Sequence, residues 1–301
     1  MTDERYAPYQ DFLGIPEDAR PQGAPRASIL PIPYDLTTSY QPGARRGPIA
    51  ILEASTHLET FDEELGRETW EEVGIETLPA VVPDTSSPVA TLERIERVAR
   101  DVVSGGKFLI GLGGEHSVTA PLVRAVRGKH PGLGVLQLDA HADLRDSFEG
   151  SPHSHACVMH RVIDDGAPVA QVGIRSLTRE ERALIRELGI CTVFAPEAVG
   201  EPVENWIGRV LSALPGDVYV TVDLDVFDPA VMPATGTPEP GGLDWYRALA
   251  ILREVARRKR IVGFDVVELA PIPGNIAPDF LAAKLAYRLL GYAFLLERPT
   301  L

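Results

Sequence analysis

Three side chains of metal-ligand type alternate in the stretch 135–146, which reads VLQLDAHADLRD. The apolar run 135–138 is short enough for a buried strand, and Asp139, His141 and Asp143 follow it at intervals of two. In an extended backbone such residues point to one face, and the alanines between them leave room around an ion. By itself this pattern is also typical of a strand that ends in a polar turn.

Two further strand ends carry the same kinds of side chain. The run VYVTV (218–222) leads into Asp223 and Asp225, and the apolar run 108–112 leads through GGE to His116. In open parallel α/β sheets, sites form at the carboxyl ends of the strands, where these segments would meet. Six ligand-type side chains from three strand ends predict a metal site rather than three unrelated turns.

The make-up of this ligand set indicates the ions and the reaction. One divalent ion takes about four to six ligands, so six protein ligands rich in oxygen suit two ions better. Carboxylates at Asp139 and Asp223 could each bridge both ions. Two imidazoles among four carboxylates, with no thiolate, favour Mn²⁺ over Zn²⁺. A pair of ions lowers the pKa of a shared water, so the predicted reaction class is metal-assisted hydrolysis.

The bulk properties of the chain narrow its possible partners. It has 301 residues, 45% of them hydrophobic, and a formal net charge of −14, which disfavours nucleic acid and anionic membranes. The same charge is compatible with a small cationic substrate. Cys157 and Cys191 form no CxxC pair, so no disulfide scaffold is expected. The start has no apolar signal core and no run is long enough to span a bilayer, so we expect a cytoplasmic protein.

Apolar periodicity and turn residues predict one α/β domain over 1–301, with an irregular polar arm at 1–25. Strands are predicted at 28–32, 78–82, 107–112, 134–138, 169–174, 190–194, 218–222 and 260–269. Helices are predicted at 49–58, 91–104, 118–127, 179–188, 203–214, 245–257 and 277–296. Because strands and helices alternate along most of the chain, the sheet should be mainly parallel and covered by helices on both faces.

Several segments resemble the ureohydrolase family, which includes arginase, agmatinase and guanidinobutyrase. These segments are YDLTTSYQPGARRGP (34–48), GGEHS (113–117), LDAHADLRD (138–146), SHACVMHR (154–161), TVDLDVFDPAVMPATGTPEPGGL (221–243) and DVVELAP (265–271). The resemblance covers most of residues 30–290, and the SHA and TGTPEPGGL segments are most similar to agmatinases. It implies a three-layer α/β/α arginase-like fold and a homo-oligomer, either a trimer or a hexamer.

The resemblance also implies roles for individual residues. Two Mn²⁺ ions per chain would be held by two overlapping sets, His116, Asp139, Asp143 and Asp223 for one ion and Asp139, His141, Asp223 and Asp225 for the other. Glu268 matches the family carboxylate that orients a guanidinium, and a planar guanidinium does pair bidentately with a carboxylate. His155 matches the family histidine proposed as a proton shuttle, with His153 and His160 as rivals from sequence alone.

The loop LRDSFEGSPHS (144–154) would meet the tail of a guanidino substrate. Asp146 and Glu149 would repel the α-carboxylate of arginine, and Phe148 could pack against a bare methylene chain. We therefore expect hydrolysis of agmatine to putrescine and urea, with Asp146 and Phe148 among the residues that bind the substrate. Arg145, if it points inward, would instead favour 4-guanidinobutyrate.

Other functions fit these residues less well. A zinc deacetylase on a related fold would use an Asp-His-Asp set and would not need His116. A metal-binding protein without activity would not need Glu268 or His155. The segment GLGGEHS lacks the GxxxxGK[ST] spacing of a phosphate-binding loop, so its glycines are expected to let the backbone pass close to the ions. The run TGTPEPGG (235–242) should wall the substrate pocket.

Overall fold

The chain folds around a sheet of eight parallel strands in the computed structural model, which describes residues 11–296. In chain order the strands are β1 (Ala27–Ile32), β2 (Phe61–Asp62), β3 (Arg67–Glu68), β4 (Ile75–Thr77), β5 (Phe108–Gly113), β6 (Gly134–Leu138), β7 (Val169–Ile174), β8 (Cys191–Phe194), β9 (Asp217–Asp223) and β10 (Arg260–Val267). The order across the large sheet is β4-β1-β5-β10-β9-β6-β7-β8, and each neighbouring pair is parallel. Strands β2 and β3 form a separate antiparallel pair.

Helices cover both faces of this sheet. They are α1 (Gly47–Ser55), α2 (Thr69–Val73), α3 (Pro88–Ser104), α4 (Thr119–Arg127), α5 (Val158–Asp164), α6 (Arg179–Leu188), α7 (Ala195–Gly200), α8 (Val203–Ala213), α9 (Trp245–Arg258) and α10 (Ala277–Leu295). Alternate residues of a strand face opposite layers. In β9, Val218 and Val220 pack with α1, α8, α9 and α10, whereas Tyr219 packs with α3 to α6. The predicted three-layer α/β/α fold with a mainly parallel sheet is therefore confirmed.

Local signals set the limits of several helices. Helix α6 begins after a capping box in which Thr178 accepts a hydrogen bond from Glu181 N and the Glu181 side chain accepts one from Thr178 N. It ends at Gly189, which adopts the left-handed conformation with φ 65°. Helix α3 begins with Pro88, and Ser87 caps its amino end. The predicted limits of α6 therefore match the structure at both ends.

The strand predicted at 78–82 is the main error in the predicted sheet. The structure places β4 at Ile75–Thr77, although Leu78 N and Val81 N still donate to carbonyls of the first strand, to Ile29 O and Pro31 O, both at 2.9 Å. Pro79 has no N–H to donate, so a regular ladder cannot continue through it. The antiparallel pair and three short helices, α2, α5 and α7, were not predicted from the sequence.

The amino-terminal arm is largely irregular where the structure describes it. Residues 11–25 contain two 3₁₀ turns, Phe12–Gly14 and Glu17–Ala19, and residues 1–10 of the predicted arm lie outside the described part. Leu13 is buried, and its N–H donates to Ser55 Oγ at 2.8 Å, which docks the arm on α1. Among residues 11–296, the helices are all too short or too polar to cross a bilayer.

Candidate two-metal hydrolytic site

The four central strands end side by side, and each supplies a functional side chain at its carboxyl end. They are neighbours in the order β5, β10, β9, β6. The side chains that follow or end these strands, in the same order, belong to His116, Glu268, Asp223 and Asp139. The convergence expected from three separate sequence segments is therefore present in the fold, because parallel strands bring their carboxyl ends to one edge of the sheet.

The ring of His116 lies among three carboxylates. Its Nδ1 atom is 3.0 Å from Asp139 Oδ2, 3.0 Å from Asp143 Oδ2 and 3.3 Å from Asp223 Oδ2. All four side chains are buried. This group contains the four residues predicted for the first ion.

A second group adjoins the first and shares Asp139 with it. His141 Nδ1 is 2.8 Å from Asp225 Oδ2 and 3.8 Å from Asp139 Oδ1. The ligand atoms of Asp139, His141 and Asp225 lie within 4.8 Å of one another, as do those of His116, Asp139 and Asp223. Two adjacent groups with a shared carboxylate are the arrangement that a pair of divalent ions requires.

The ring of His116 is oriented so that Nδ1 is free to bind an ion. Its Nε2 atom is 2.9 Å from Thr221 Oγ1, and the Thr221 hydroxyl donates to Asp265 Oδ1 at 2.6 Å. Because that hydroxyl hydrogen is used on Asp265, the Thr221 oxygen accepts a hydrogen bond and Nε2 must carry the ring hydrogen. Nδ1 then faces the carboxylate oxygens and has no hydrogen-bond partner among the described residues. Although burial opposes it, the three carboxylates raise the pKa of His116 well above its usual range, so a cation is favoured at this point, and the imidazole and carboxylate donors fit a divalent metal.

The cluster holds more negative charge than its surroundings can stabilise alone. Burial, with Asp143 and Asp225 close by, raises the pKa of Asp139 to about 7. Burial and the Asp225 and Asp139 carboxylates also raise the pKa of Asp223 well above its usual range. Buried like charges favour the protonated form unless cations compensate them. The electrostatics therefore agree with the donor geometry in fitting divalent ions.

Glu268 is held beside the cluster by the residue that supplies its first imidazole. Glu268 Oε1 accepts a hydrogen bond from His116 N at 2.7 Å, and Glu268 N donates to Gly114 O at 2.8 Å. Its φ of 66° lies in the left-handed region, which costs a non-glycine residue on the order of 1–3 kcal/mol and recurs at functional sites. Burial, followed by the nearby Glu115 carboxylate, raises the pKa of Glu268 to about 8. Oε2 of this carboxylate remains available for a cationic group.

A cavity of about 250 Å³ opens onto the cluster at His141. His155 and Phe148, both predicted to face the substrate, line it, and their rings meet edge-on with centroids 6.0 Å apart. Thr237 of the TGTPEPGG segment also lines it, and a Cβ placed on Gly236 would lie 3.9 Å from Glu268 Oε2. That segment therefore forms part of the pocket wall, as predicted from the sequence.

Two charged residues of the 144–154 loop lie in different places, Asp146 at the surface and Arg145 at the cavity. Asp146, predicted to bind the substrate, has an 83% exposed side chain that pairs with Arg161 at 2.9 Å and does not line the described cavity. Its carboxylate is paired with the Arg161 guanidinium in solvent, so the prediction that Asp146 binds the substrate is not supported by its surface position. Arg145 lines the cavity, with its guanidinium 4.7 Å from the centroid of the Phe148 ring.

The structure separates His155 from its two rivals. His160 Nδ1 is 2.9 Å from Leu144 O, which gives His160 a role in holding the loop. His153 lies at a different small cavity, lined also by Arg124. Burial lowers the pKa of His155, which favours the neutral imidazole near neutral pH. Of the three histidines, His155 lines the cavity that reaches the cluster.

The ligands are supported by polar residues that were not predicted from the sequence, the buried Gln137 and Asp265 and the half-buried Arg175. Gln137 Nε2 donates to Asp139 Oδ2 at 2.7 Å. Arg175 donates to the Asp225 carbonyl oxygen at 2.6 Å and to five further backbone carbonyls. Asp265, which holds Thr221, could have been found because a carboxylate inside an apolar strand (GFDVV) must have a buried partner. Gln137, inside the apolar strand VLQL, carries a similar signal, whereas Arg175 carries none.

The glycine turn before His116 packs closely against a loop from earlier in the chain. A Cβ at Gly114 would lie 1.9 Å from Tyr34 O, so the close approach there is to the backbone of the 34–48 loop. Gly114 therefore allows this loop to dock against the residues that precede the first ligand. That the glycines also let the backbone pass close to the ions stays a prediction.

A parallel α/β/α sheet with these two ligand groups at the ends of its central strands defines a metal-dependent hydrolase. The chain belongs to the arginase family, whose family model matches residues 25–291. It is thus an agmatinase-like ureohydrolase, an enzyme that hydrolyses linear amidines with the help of metal ions.

Individual relatives agree with this assignment. The chain is 43% identical to N(1)-aminopropylagmatine ureohydrolase of Synechocystis over 270 residues, which cover 88% of each protein. It is 37% identical to agmatinase of Pyrococcus horikoshii over 267 residues, which cover 87% of this chain and 90% of the relative. Proclavaminate amidino hydrolase from Streptomyces clavuligerus has a similar structure, with a TM-score of 0.86, 31% identity and coverage of 96% of this chain and 98% of that one.

Proposed function

We propose that this chain hydrolyses a guanidino-amine and releases urea. The observation that carries the proposal is the double role of His116, whose ring faces the carboxylate ligands while its backbone N–H holds Glu268 at 2.7 Å. A guanidinium paired with the Glu268 carboxylate would be fixed directly beside the ligand cluster. Such fixed geometry converts the attack of water on the guanidinium carbon into an effectively intramolecular step.

The residues of the cluster would hold two ions, which we propose to be Mn²⁺. The first set is His116, Asp139, Asp143 and Asp223, and the second is Asp139, His141, Asp223 and Asp225. When bound, two such ions activate a water molecule as the nucleophile. The oxygen-rich, thiolate-free donor set supports manganese.

The remaining steps belong to Glu268, beside the cluster, and to His155, which lines the cavity. Glu268 binds and orients the guanidinium, because carboxylate and guanidinium form paired charge-assisted hydrogen bonds. Water adds to the guanidinium carbon, the bond from that carbon to the chain nitrogen breaks, and urea and an amine are produced. His155, neutral near pH 7 and lining the cavity, accepts a proton from this water and delivers it to the departing amine.

The tail of the substrate is the finer part of the proposal. Agmatine would yield putrescine, and N(1)-aminopropylagmatine would yield putrescine extended by an aminopropyl group. Identity of 43% to a relative named for the second compound, against 37% and 39% to two agmatinases, supports N(1)-aminopropylagmatine ahead of agmatine. In either case Phe148 would pack against the methylene chain.

One observation favours a second candidate, 4-guanidinobutyrate. Arg145 lines the cavity with its guanidinium over Phe148, and a cation there would attract a carboxylate tail. Replacing Arg145 by Gln distinguishes the two candidate substrate classes. It should lower kcat/KM for 4-guanidinobutyrate and raise it for agmatine and N(1)-aminopropylagmatine. Arg186→Gln removes the same charge from an exposed position of α6 and is the matched control.

The test is a panel of guanidino compounds with manganese-loaded protein. Urea release is measured for N(1)-aminopropylagmatine, agmatine, 4-guanidinobutyrate and arginine, and kcat/KM is compared. We expect kcat/KM for N(1)-aminopropylagmatine and agmatine to exceed that for 4-guanidinobutyrate and arginine, which carry a carboxylate, at least about tenfold. The reason is that a mispaired buried charge costs several kcal/mol. Urea release from none of the four compounds, or a higher value for either carboxylate, would contradict the proposal.

The family resemblance also supports two proposals about the whole protein. We propose that it is a homo-oligomer, a trimer or a hexamer, and that it works in the cytoplasm. Light scattering coupled to size-exclusion chromatography gives the mass of the assembly, and a monomer mass of 32.7 kDa in solution would refute the first of these.

A further inference from the structure

Glu115 is a fully buried carboxylate that the proposed chemistry leaves without a role. It directly precedes His116, yet its side chain belongs to neither ligand group of the described residues. Its oxygens accept three short hydrogen bonds, from Thr37 N at 2.6 Å, Thr37 Oγ1 at 2.5 Å and Ser117 Oγ at 2.6 Å. A buried carboxylate needs such donors, and two of the three come from one residue 78 positions earlier in the chain.

Thr37 passes this contact on to the segment that carries His155. Thr37 Oγ1 accepts a hydrogen bond from His155 N at 3.0 Å. A threonine hydroxyl has one hydrogen, and here it is donated to Glu115, so the hydroxyl oxygen is free to accept from His155. The direction of both bonds is consistent, and the path runs from His155 N–H to Thr37 and on to the Glu115 carboxylate.

The rest of the 34–48 loop strengthens this path at both ends. Glu115 N donates to Tyr34 O at 2.8 Å, so the loop is tied to the turn before His116 by its backbone as well. Ser39 Oγ lies 3.5 Å from His155 Nε2 and lines the same cavity. The imidazole of His155 therefore stands between this loop and Phe148, which meets it edge-on.

We propose that Glu115 and Thr37 are positioning residues that hold His155 at a fixed place over the metal ligands. The proposal rests on the proposed function, in which His155 moves a proton. Because Glu115 is adjacent in sequence to His116, a rigid link of two side chains joins the proton-transfer residue to the first metal ligand. Neither Glu115 nor Thr37 touches the substrate in this arrangement.

The primary test is Thr37→Val, which keeps the shape of the side chain and removes its hydroxyl. We expect kcat to fall about 10- to 100-fold with KM within about twofold of wild type, because a displacement of about 1 Å can cost 10²-fold in rate. Metal content should stay unchanged, and Thr37→Ser should restore kcat. The matched control is Thr38→Val, which removes the hydroxyl of the next residue; that hydroxyl donates to Asp35 O at 3.2 Å.

A double-mutant cycle distinguishes positioning of His155 from a general loss of structure. In a His155→Ala background, Thr37→Val should cause no further loss of kcat, because there is no imidazole left to misplace. Equal losses in both backgrounds, or wild-type kcat in Thr37→Val, would overturn the proposal.

Hydrogen–deuterium exchange tests the same link without any substrate. The peptide containing His155 should exchange faster in Thr37→Val than in wild type or Thr38→Val, because the His155 amide loses its acceptor. Unchanged exchange would refute the link even if urea release confirms the proposed function. Faster exchange would support it even if none of the guanidino compounds is a substrate.

Discussion

Replacing Glu268 by Gln is the sharpest test of how the guanidinium is recognised. Oε1 of this residue is already engaged by His116 N at 2.7 Å, so the substrate must be met mainly by Oε2. A glutamine that keeps its oxygen on His116 would turn its NH₂ group toward the guanidinium. The variant therefore loses a negative charge and also places donor against donor.

The size of the effect follows from this geometry. Truncating one partner of a buried, hydrogen-bonded charge pair costs about 2–5 kcal/mol. Since about 1.4 kcal/mol is a factor of ten, kcat/KM should fall roughly 30- to 4,000-fold. The opposed donors place Glu268→Gln toward the upper end of that range.

Urea release under kcat/KM conditions, with metal analysis of the same sample, provides the measurement. Metal content should match wild type, because Glu268 belongs to neither ligand group of the described residues. Glu187→Gln, an exposed change on α6, is the charge-matched control and should be silent. Activity of Glu268→Gln within threefold of wild type would refute the role of Glu268 in binding the guanidinium. An inactive variant that has also lost its metal would refute it as well.

Three further outcomes are expected. Chelation should abolish activity, Mn²⁺ should restore it with two ions per chain, and Asp139→Asn should lose both metal and activity. Because the pKa of Asp139 is raised to about 7, metal uptake measured by dialysis should be tighter at about pH 8 than at about pH 6. His155→Ala should keep its metal and slow turnover by roughly 10²–10⁴-fold in single-turnover assays, and metal loss would count against a shuttle role. Arg288→Met should lower the free energy of unfolding, measured in urea, by about 3–5 kcal/mol. The reason is that the buried Asp62 carboxylate, 3.1 Å from Arg288 Nε, loses its charged partner. The control Arg186→Met, at an exposed position, should cost less than about 0.5 kcal/mol.

The parts of the fold that local sequence specifies were the parts that could be predicted. Asp139, His141 and Asp143 can be read as ligands because a strand end imposes their alternation. The limits of α6 follow from Thr178, Glu181 and a terminal glycine, all local signals. In each case the cause of the structure lies within a few residues of its effect.

Other elements depend on partners that are distant in sequence. The antiparallel pair β2–β3 has two residues in each strand. It is held by Arg288 of α10, whose guanidinium pairs with the carboxylates of Asp62, Glu63 and Glu64. No local pattern of that length specifies a strand. The α5 helix begins where Met159 N donates to Asp143 O at 3.0 Å, so its capping group lies 16 residues away and leaves no capping signature in the sequence.

The supporting shell of the site was hidden for a similar reason. Gln137, Thr221 and Thr37 are ordinary polar residues in the sequence, and their roles arise only when strands and loops are brought together. Arg145 illustrates the same limit, since sequence left open whether it faced the solvent or the cavity. The structure places it in the cavity, which is why the panel of tails includes a carboxylate.

The placement of His116 has a thermodynamic consequence for the enzyme at work. One residue offers its ring to the metal ligands and its N–H to the substrate-binding carboxylate, so the two binding events share a common mechanical element. Thermodynamic linkage then applies: if bound ions raise the affinity for substrate by some factor, bound substrate raises the affinity for the ions by the same factor. An enzyme engaged with its substrate would thus resist chelators better than an idle one, and its metal would be retained longest where its substrate is most abundant.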